Sequence, residues 1–135
     1  MVKTGDITKY IEGIGRRKTA IARVRIYPDA DKADFIINGQ KVTDYFDTLR
    51  YLKTAQHPLE VTKTKMSVET KVKGGGMTAQ AEAVRMGLSR ALVKYKEETK
   101  PALKSRGYLT RDSRMVERKK YGRRKARRAF QWKKR

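Results

Sequence analysis

A chain of 135 residues suits one small domain, and this one carries 35 lysines and arginines against 14 acidic residues, a formal net charge of +21. It has no cysteine, which excludes disulfides and thiolate metal sites, and no stretch approaches the roughly 18 apolar residues of a membrane span. Self-repulsion on this scale is relieved by a polyanion, so nucleic acid is the first candidate partner; the second, an anionic membrane surface, needs an apolar face or lipid anchor that the sequence does not offer.

The N-terminal sequence MVKTGDITKYIEGIG lacks the apolar core of a secretory signal, which predicts a cytoplasmic protein. Next comes GIGRRK, in which two glycines and three cations stand at the entrance of a predicted strand and permit close approach to a phosphate chain. The strand runs from Thr19 to Tyr27, because apolar and mostly cationic residues alternate along it. We expect one face to carry Ala20, Ala22, Val24 and Ile26, and the other Arg23, Arg25 and Tyr27.

The sequence DADKAD predicts a polar, acidic turn that is a poor candidate for RNA contact, and DFIIN predicts a second short strand. Asn38-Gly39 then suits a turn with positive φ. Thr43 is a candidate cap for a helix that presents Tyr45, Phe46, Leu49 and Leu52 to the sheet and ends before Pro58.

Alternation returns from Met66 to Lys73, with Met66, Val68 and Val72 predicted inward, until three glycines at 74–76 end the strand. Thr78 is a candidate cap for the clearest helix in the chain, whose apolar face we expect to comprise Ala81, Val84, Leu88, Ala91, Leu92 and Tyr95. A shorter helix is predicted from about Glu98 to Arg106, with Pro101 in its first turn and Gly107 beyond its end.

Hydrophobic periodicity ends near Leu109, and the segment from Arg118 to Arg135 contains eleven basic residues and no acidic one. The default interpretation of such a run of charges is a solvated, disordered extension. Phe130 and Trp132 lie in this run with no core to join, and aromatic residues among arginines can stack on bases. The sequence predicts an α+β domain over residues 1–108 and a long, extended basic tail over residues 109–135.

Catalytic and nucleotide-binding motifs are absent from the sequence. His57 is the single histidine, without a Ser/His/Asp or paired-carboxylate arrangement around it. GGGMT before a helix is either a plain strand-to-helix turn or a phosphate contact, and the neighbouring Lys71 and Lys73 favour contact. It is not a P-loop, since no GxxxxGK[ST] is present. We therefore expect a non-enzyme with no cofactor, no metal and no small-molecule substrate.

Five segments follow one another along nearly the whole chain: GIGRRKTAIARVRIYP, ING at 37–39, VKGGG at 72–76, GLSRAL at 87–92 and YLTRDSRMVERKKYGRRKARRAFQWKKR. Together they resemble the bacterial-type ribosomal protein S nine family of the small subunit. The resemblance implies a structural protein of the small-subunit head whose partners are 16S-type rRNA, peptidyl-site tRNA and neighbouring head proteins. It also implies a fold like the second domain of ribosomal protein S five, with a left-handed β-α-β crossover that periodicity does not reveal. The alternative from another class is a nucleic-acid-modifying enzyme with a basic substrate arm, but the sequence lacks an acid-base pair, a metal cluster or a nucleotide loop for it. A second alternative is a general nucleic-acid-compacting protein.

Carried over by motif position, the resemblance assigns three groups of residues to rRNA and the chain end to tRNA. The expected rRNA contacts are Arg16, Arg17 and Lys18; Lys73 with Gly74, Gly75 and Gly76; and the tail residues Arg111, Arg114, Arg118, Lys119, Lys120, Arg123, Arg124, Lys125, Arg127 and Arg128. The expected tRNA contacts are Lys133, Lys134 and Arg135.

Overall fold

In the computed structural model, which describes residues 10–28, 30 and 32–134, strands and helices interleave along the chain. The strands of this part are β1 (Ile11–Arg17), β2 (Ala20–Tyr27), β3 (Phe35–Ile37), β4 (Gln40–Lys41) and β5 (Ser67–Lys73). The α-helices are α1 (Val42–Tyr45), α2 (Leu49–Thr62), α3 (Met77–Tyr95) and α4 (Lys100–Ser105), with a 3-10 turn at Glu97–Thr99. The predicted α+β class is confirmed. No helix among the described residues is long and apolar enough to cross a membrane.

The five strands form one mixed sheet in the order β1-β2-β5-β3-β4. β1 and β2 form an antiparallel hairpin, β2 pairs antiparallel with β5, and β3 pairs antiparallel with β4. β3 and β5 are parallel, so the chain between them must cross over, and it does so through β4, α1 and α2. α3 then lies across β1 and β2, with α2 packed against it.

The hydrophobic core lies between the sheet and α3. Ala20, Ala22, Val24 and Ile26 are fully buried, which confirms the predicted inward face of β2. Met66, Val68 and Val72 are buried as predicted, as are Ala81, Val84, Leu88, Ala91 and Leu92 of α3. The Asn38-Gly39 turn is also confirmed, since φ is 49° at Asn38 and 84° at Gly39.

The first strand was not predicted, because two glycines interrupt its apolar alternation. Gly13 and Gly15 face α3, where a Cβ on Gly13 would lie 2.2 Å from the Gly87 carbonyl oxygen and one on Gly15 1.8 Å from the Ala83 carbonyl oxygen. These glycines therefore allow a helix to approach the strand, and the interpretation that they open the backbone to phosphate is wrong.

The helix expected from Thr43 to before Pro58 is two helices, and both predicted limits are wrong. Thr43 lies inside α1, and the backbone is extended at Phe46 (φ −105°, ψ 101°) and again at Thr48, the N-cap of α2. Pro58 lies inside α2 and is fully buried. A proline within a helix removes one backbone hydrogen bond, and burial of the ring offsets part of that cost.

Two expectations for α3 are also wrong. Gly76, not Thr78, is the N-cap residue, and the Thr78 hydroxyl donates instead to Tyr51 Oη at 3.4 Å. Tyr95 is 38% exposed because it ends the helix beyond the covered part of the sheet. The short helix α4 begins and ends near the predicted limits, with Pro101 in its first turn and Gly107 at φ 73° after its end.

Candidate nucleic-acid interface

Two motifs that are distant in sequence meet at one end of the sheet. The β1-β2 turn contains Lys18, with φ 51°, and Thr19, while strand pairing sets Ile21 opposite Lys73 at the end of β5. The glycine turn at 74–76 therefore lies directly beside the β1-β2 turn. Three exposed cations, Arg16, Lys18 and Lys73, surround this junction.

The glycine turn is held against the hairpin by backbone that tolerates no side chain. Gly74 and Gly75 have φ of 77° and 70°, and Cβ atoms there would lie 2.7 Å from the Thr19 carbonyl oxygen and 2.8 Å from Ala20 Cβ. Gly76 is open, with nothing within 4 Å of a Cβ, and it leads directly into α3. The first turn of α3 has no side-chain cap and no acidic residue, so no side-chain cap satisfies its first N–H groups. The positive end of the helix dipole lies at Gly76, next to this junction.

Arg17 points to the opposite side of β1 from Arg16, as alternation along a strand requires. Its guanidinium donates to a Glu82 carboxylate oxygen at 2.5 Å and to the Arg114 carbonyl at 2.7 Å, and it lies 3.5 Å from an Asp112 carboxylate oxygen. Only 13% of the Arg17 side chain is exposed. Arg17 therefore joins β1, α3 and the start of the C-terminal segment, with its charge already countered inside the chain.

The same connection is extended by neighbouring polar and aromatic groups. Arg114 donates to both Asp112 carboxylate oxygens, and these side-chain hydrogen bonds hold the pKa of Asp112 well below its usual range. Tyr108 packs against the core, and the Arg85 guanidinium carbon lies over its ring, 4.6 Å from the ring centroid. The Tyr108 hydroxyl oxygen lies 2.7 Å from His57 Nδ1. The C-terminal segment is thus fixed to the domain as far as Arg114, and His57 takes part in that packing.

From residue 106 to residue 134 the structure contains turns and no helix or strand. Glu117 accepts hydrogen bonds from Lys120 and from Arg127, the latter at 3.0 Å, and the bond from Lys120 is the first cause of the lowered pKa of Glu117. The Arg124 guanidinium lies 5.2 Å from the centroid of the Phe130 ring. These contacts make a local, cation-rich loop at the surface.

The remaining predicted tail contacts within the described residues are exposed, and no carboxylate in the described part of the chain forms an ion pair with them. Trp132 is 93% exposed and Tyr121 98% exposed, so neither aromatic joins the core. The exposed predicted cations of this segment without a carboxylate partner among the described residues are Arg111, Arg118, Lys119, Arg123, Arg124, Lys125, Arg128, Lys133 and Lys134. Arg135 lies outside the described residues.

Sequence reasoning found the cations but missed the acids that engage some of them. Glu82 and Asp112 counter Arg17, Glu117 counters two tail cations, and Glu12 lies 3.2 Å from Arg23 and 3.1 Å from Arg25. Among the described residues no cluster of His, Cys, Asp or Glu could hold a metal ion. The chemistry available at this surface is the binding of anions through exposed guanidinium, ammonium and backbone N–H groups.

Comparison with known proteins agrees with this chemistry. The family described as "Ribosomal protein S9/S16" matches residues 15–135. A curated relative, the "Small ribosomal subunit protein uS9" of Thermotoga neapolitana, is 51% identical over 128 residues, which cover 91% of this chain and 94% of the relative.

Proposed function

Because the chain belongs to the ribosomal protein S9/S16 family, in its bacterial-type uS9 form, we propose that it binds small-subunit rRNA at the junction of its two turns and along its C-terminal segment. Membership of this family makes the protein a structural component of the small ribosomal subunit, with rRNA and other ribosomal proteins as its partners in the cytoplasm, and not an enzyme.

One observation carries the proposal: Arg16 and Lys18 of GRRK and the KGGG turn, which lie far apart in sequence, form a single exposed cationic junction. Arg16, Lys18 and Lys73 surround glycine backbone that a phosphate can approach at Gly76, beside the N-terminus of a 19-residue helix. The junction thus offers side-chain cations and backbone donors to the same anion, which favours phosphate contact over a plain turn.

The C-terminal segment adds a second contact with rRNA. We divide the chain into a globular domain over residues 1–108 and an extended basic tail over residues 109–135, and the part of the tail beyond Arg114 becomes ordered on RNA. The surface exposure of its cations and of Trp132 supports this role, since phosphates neutralise the former and a base can stack on the latter. At its end, Lys133, Lys134 and Arg135 contact the backbone of peptidyl-site tRNA.

The family resemblance also assigns the domain to the fold of the second domain of ribosomal protein S five. The parallel pairing of β3 with β5 through a helical crossover is compatible with that fold, and the crossover is then left-handed.

Sedimentation tests the proposal against a general nucleic-acid-compacting role. Small subunits are reconstituted with the protein and run on sucrose gradients in high salt, where nonspecific polyelectrolyte contacts dissociate. We expect the protein to remain with the subunit peak at one copy per subunit. Release into the light fractions, or equal retention on unrelated DNA, would refute an rRNA-specific role.

A further inference from the structure

The sheet has a second face, opposite α3, that no described element covers. Side chains alternate along each strand, so the residues that do not enter the core point to this side. We call this surface the open face. It comprises Glu12, Ile14 and Arg16 of β1; Ile21, Arg23, Arg25 and Tyr27 of β2; Ser67, Glu69, Lys71 and Lys73 of β5; and Lys41 of β4.

Cations outnumber acids on the open face by six to two. Both carboxylates are already engaged: Glu12 with Arg23 and Arg25, and Glu69 as acceptor from the Tyr27 hydroxyl at 2.9 Å. Among the described residues no carboxylate lies within ion-pair distance of Arg16, Lys71 or Lys73. The face is therefore an uncompensated cationic array over three adjacent strands.

Apolar and aromatic groups lie between these charges. Ile14 and Ile21 are each 41% exposed, although a surface sheet usually carries polar residues at such positions. Tyr10 is 45% exposed, with the Arg25 guanidinium 4.6 Å from its ring centroid and the Tyr27 ring 6.1 Å away. Flat apolar surface next to arginine stacked on an aromatic ring suits the ribose and base surfaces of RNA as well as its phosphates.

We propose that the open face is a second RNA-binding surface of the domain, continuous with the turn junction through Arg16 and Lys73 and taking the sugar-phosphate backbone of rRNA. The inference rests on the proposed function and extends it to the sheet. Alternate residues of one strand are about 6.8 Å apart and adjacent strands about 4.8 Å apart, so the array spans several phosphates rather than one. A second copy of this chain does not suit the open face, because each copy carries a formal net charge of +21 and the two copies would repel each other.

Site-specific cross-linking tests the proposal directly, because the chain has no cysteine of its own. In Ile21→Cys the new thiol on the open face is labelled with a benzophenone maleimide, and the full chain is reconstituted into small subunits and irradiated. Lys53→Cys, on the exposed side of α2, is the matched control. We expect a cross-link to rRNA from position 21 and none from position 53.

The outcomes separate this inference from the proposed function. A chain that enters the subunit but cross-links at position 21 only to protein, or to nothing, overturns the RNA assignment of the open face while leaving membership of the subunit intact. Failure of the unlabelled wild-type chain to enter the subunit would instead refute the proposed function.

Charge removal gives an independent measurement. Lys41→Gln with Lys71→Gln removes two exposed lysines of the open face that have no carboxylate partner among the described residues, and it should lower the slope of log affinity against log salt for small-subunit rRNA by about 1.4–1.8, the value for two phosphate contacts. Lys53→Gln with Lys104→Gln removes the same charge from exposed helix positions and should leave the slope within error of wild type. Equal slopes for the two double variants, with both folded by circular dichroism, would overturn the proposal.

Discussion

Single glutamine substitutions at the three consecutive cations of GRRK separate phosphate contact from internal support. Arg16 and Lys18 are exposed at the turn junction, whereas Arg17 is only 13% exposed and bound to two carboxylates. Loss of Arg16 or of Lys18 should each reduce the salt slope of rRNA binding by about 0.7–0.9, and loss of both by about 1.4–1.8. Arg17→Gln should change the slope by much less, because its charge is already countered within the chain.

Stability should respond in the opposite order. Arg17→Gln leaves Glu82 and Asp112 without their common partner; a hydrogen bond to a charged group contributes about 1.5–3 kcal/mol. Because the two carboxylates are 29% and 35% exposed, water replaces part of the interaction. We expect a net loss of about 1–2 kcal/mol, or roughly 4–16 °C in melting temperature for a domain of this size. Arg16→Gln should leave the melting temperature nearly unchanged.

Two measurements on the full-length variants decide the matter. Filter binding to a small-subunit rRNA fragment over a series of KCl concentrations gives the salt slope, and thermal melting by circular dichroism gives the stability. Lys53→Gln serves as the control for charge alone. If Arg17→Gln flattens the slope as much as Arg16→Gln and melts with wild type, Arg17 is an RNA ligand and the reasoning from its internal contacts is wrong.

Three further outcomes are expected. Gly15→Ala should destabilise the domain by about 3 kcal/mol or more, since its Cβ would lie 1.8 Å from the Ala83 carbonyl oxygen of α3. Gly76→Ala should cost less than about 1 kcal/mol, because nothing lies within 4 Å of its Cβ; similar melting temperatures for the two variants would contradict the packing argument. Deleting residues 133–135 should leave assembly intact and speed tRNA dissociation from purified subunits by about ten- to a hundredfold, with screened contacts on the order of 1 kcal/mol each; equal dissociation rates would exclude the tRNA role. Hydrogen bonds from Arg25 and Arg114 lower the pKa values of Glu12 and Asp112, respectively, in the folded protein. These carboxylates therefore stabilise the fold above their unfolded pKa values of about 4, and the stabilisation is lost as the pH falls through their pKa values in the folded state. The melting temperature should therefore decline below about pH 4.5, and a profile that stays level in acid in the wild type would contradict this linkage.

Local patterns predicted much of this protein. Alternation identified β2 and β5, and the period of α3 identified its buried face, because burial of one side imposes the period of the element on the sequence. The glycine turn was equally visible, since it depends on residue type over a few positions. The sequence pattern did not predict β1, because Gly13 and Gly15 contribute no apolar side chain to its inward face and the strand therefore lacks hydrophobic alternation.

The candidate site could be predicted only in its composition. Arg16 and Arg17 looked equivalent in the sequence, yet adjacent strand residues point to opposite faces, and what each then meets depends on distant parts of the chain. The partners of Arg17 lie 65 residues away in α3 and 95 residues away in the C-terminal segment. Thr78 is not the cap because α3 begins at Met77, after Gly76, and the Thr78 hydroxyl donates to Tyr51 of α2.

By itself the sequence determined that the protein is a small, basic α+β chain with a cationic end, because charge, turn residues and periodicity are properties of neighbouring positions. Its ordered motifs also indicated the family. The tertiary structure decided which cations remain available to an anion and which are already neutralised, and it brought two separate turns into one junction beside an open sheet face. These outcomes depend on strand pairing and helix packing between residues far apart in the chain, and local composition carries no record of such contacts.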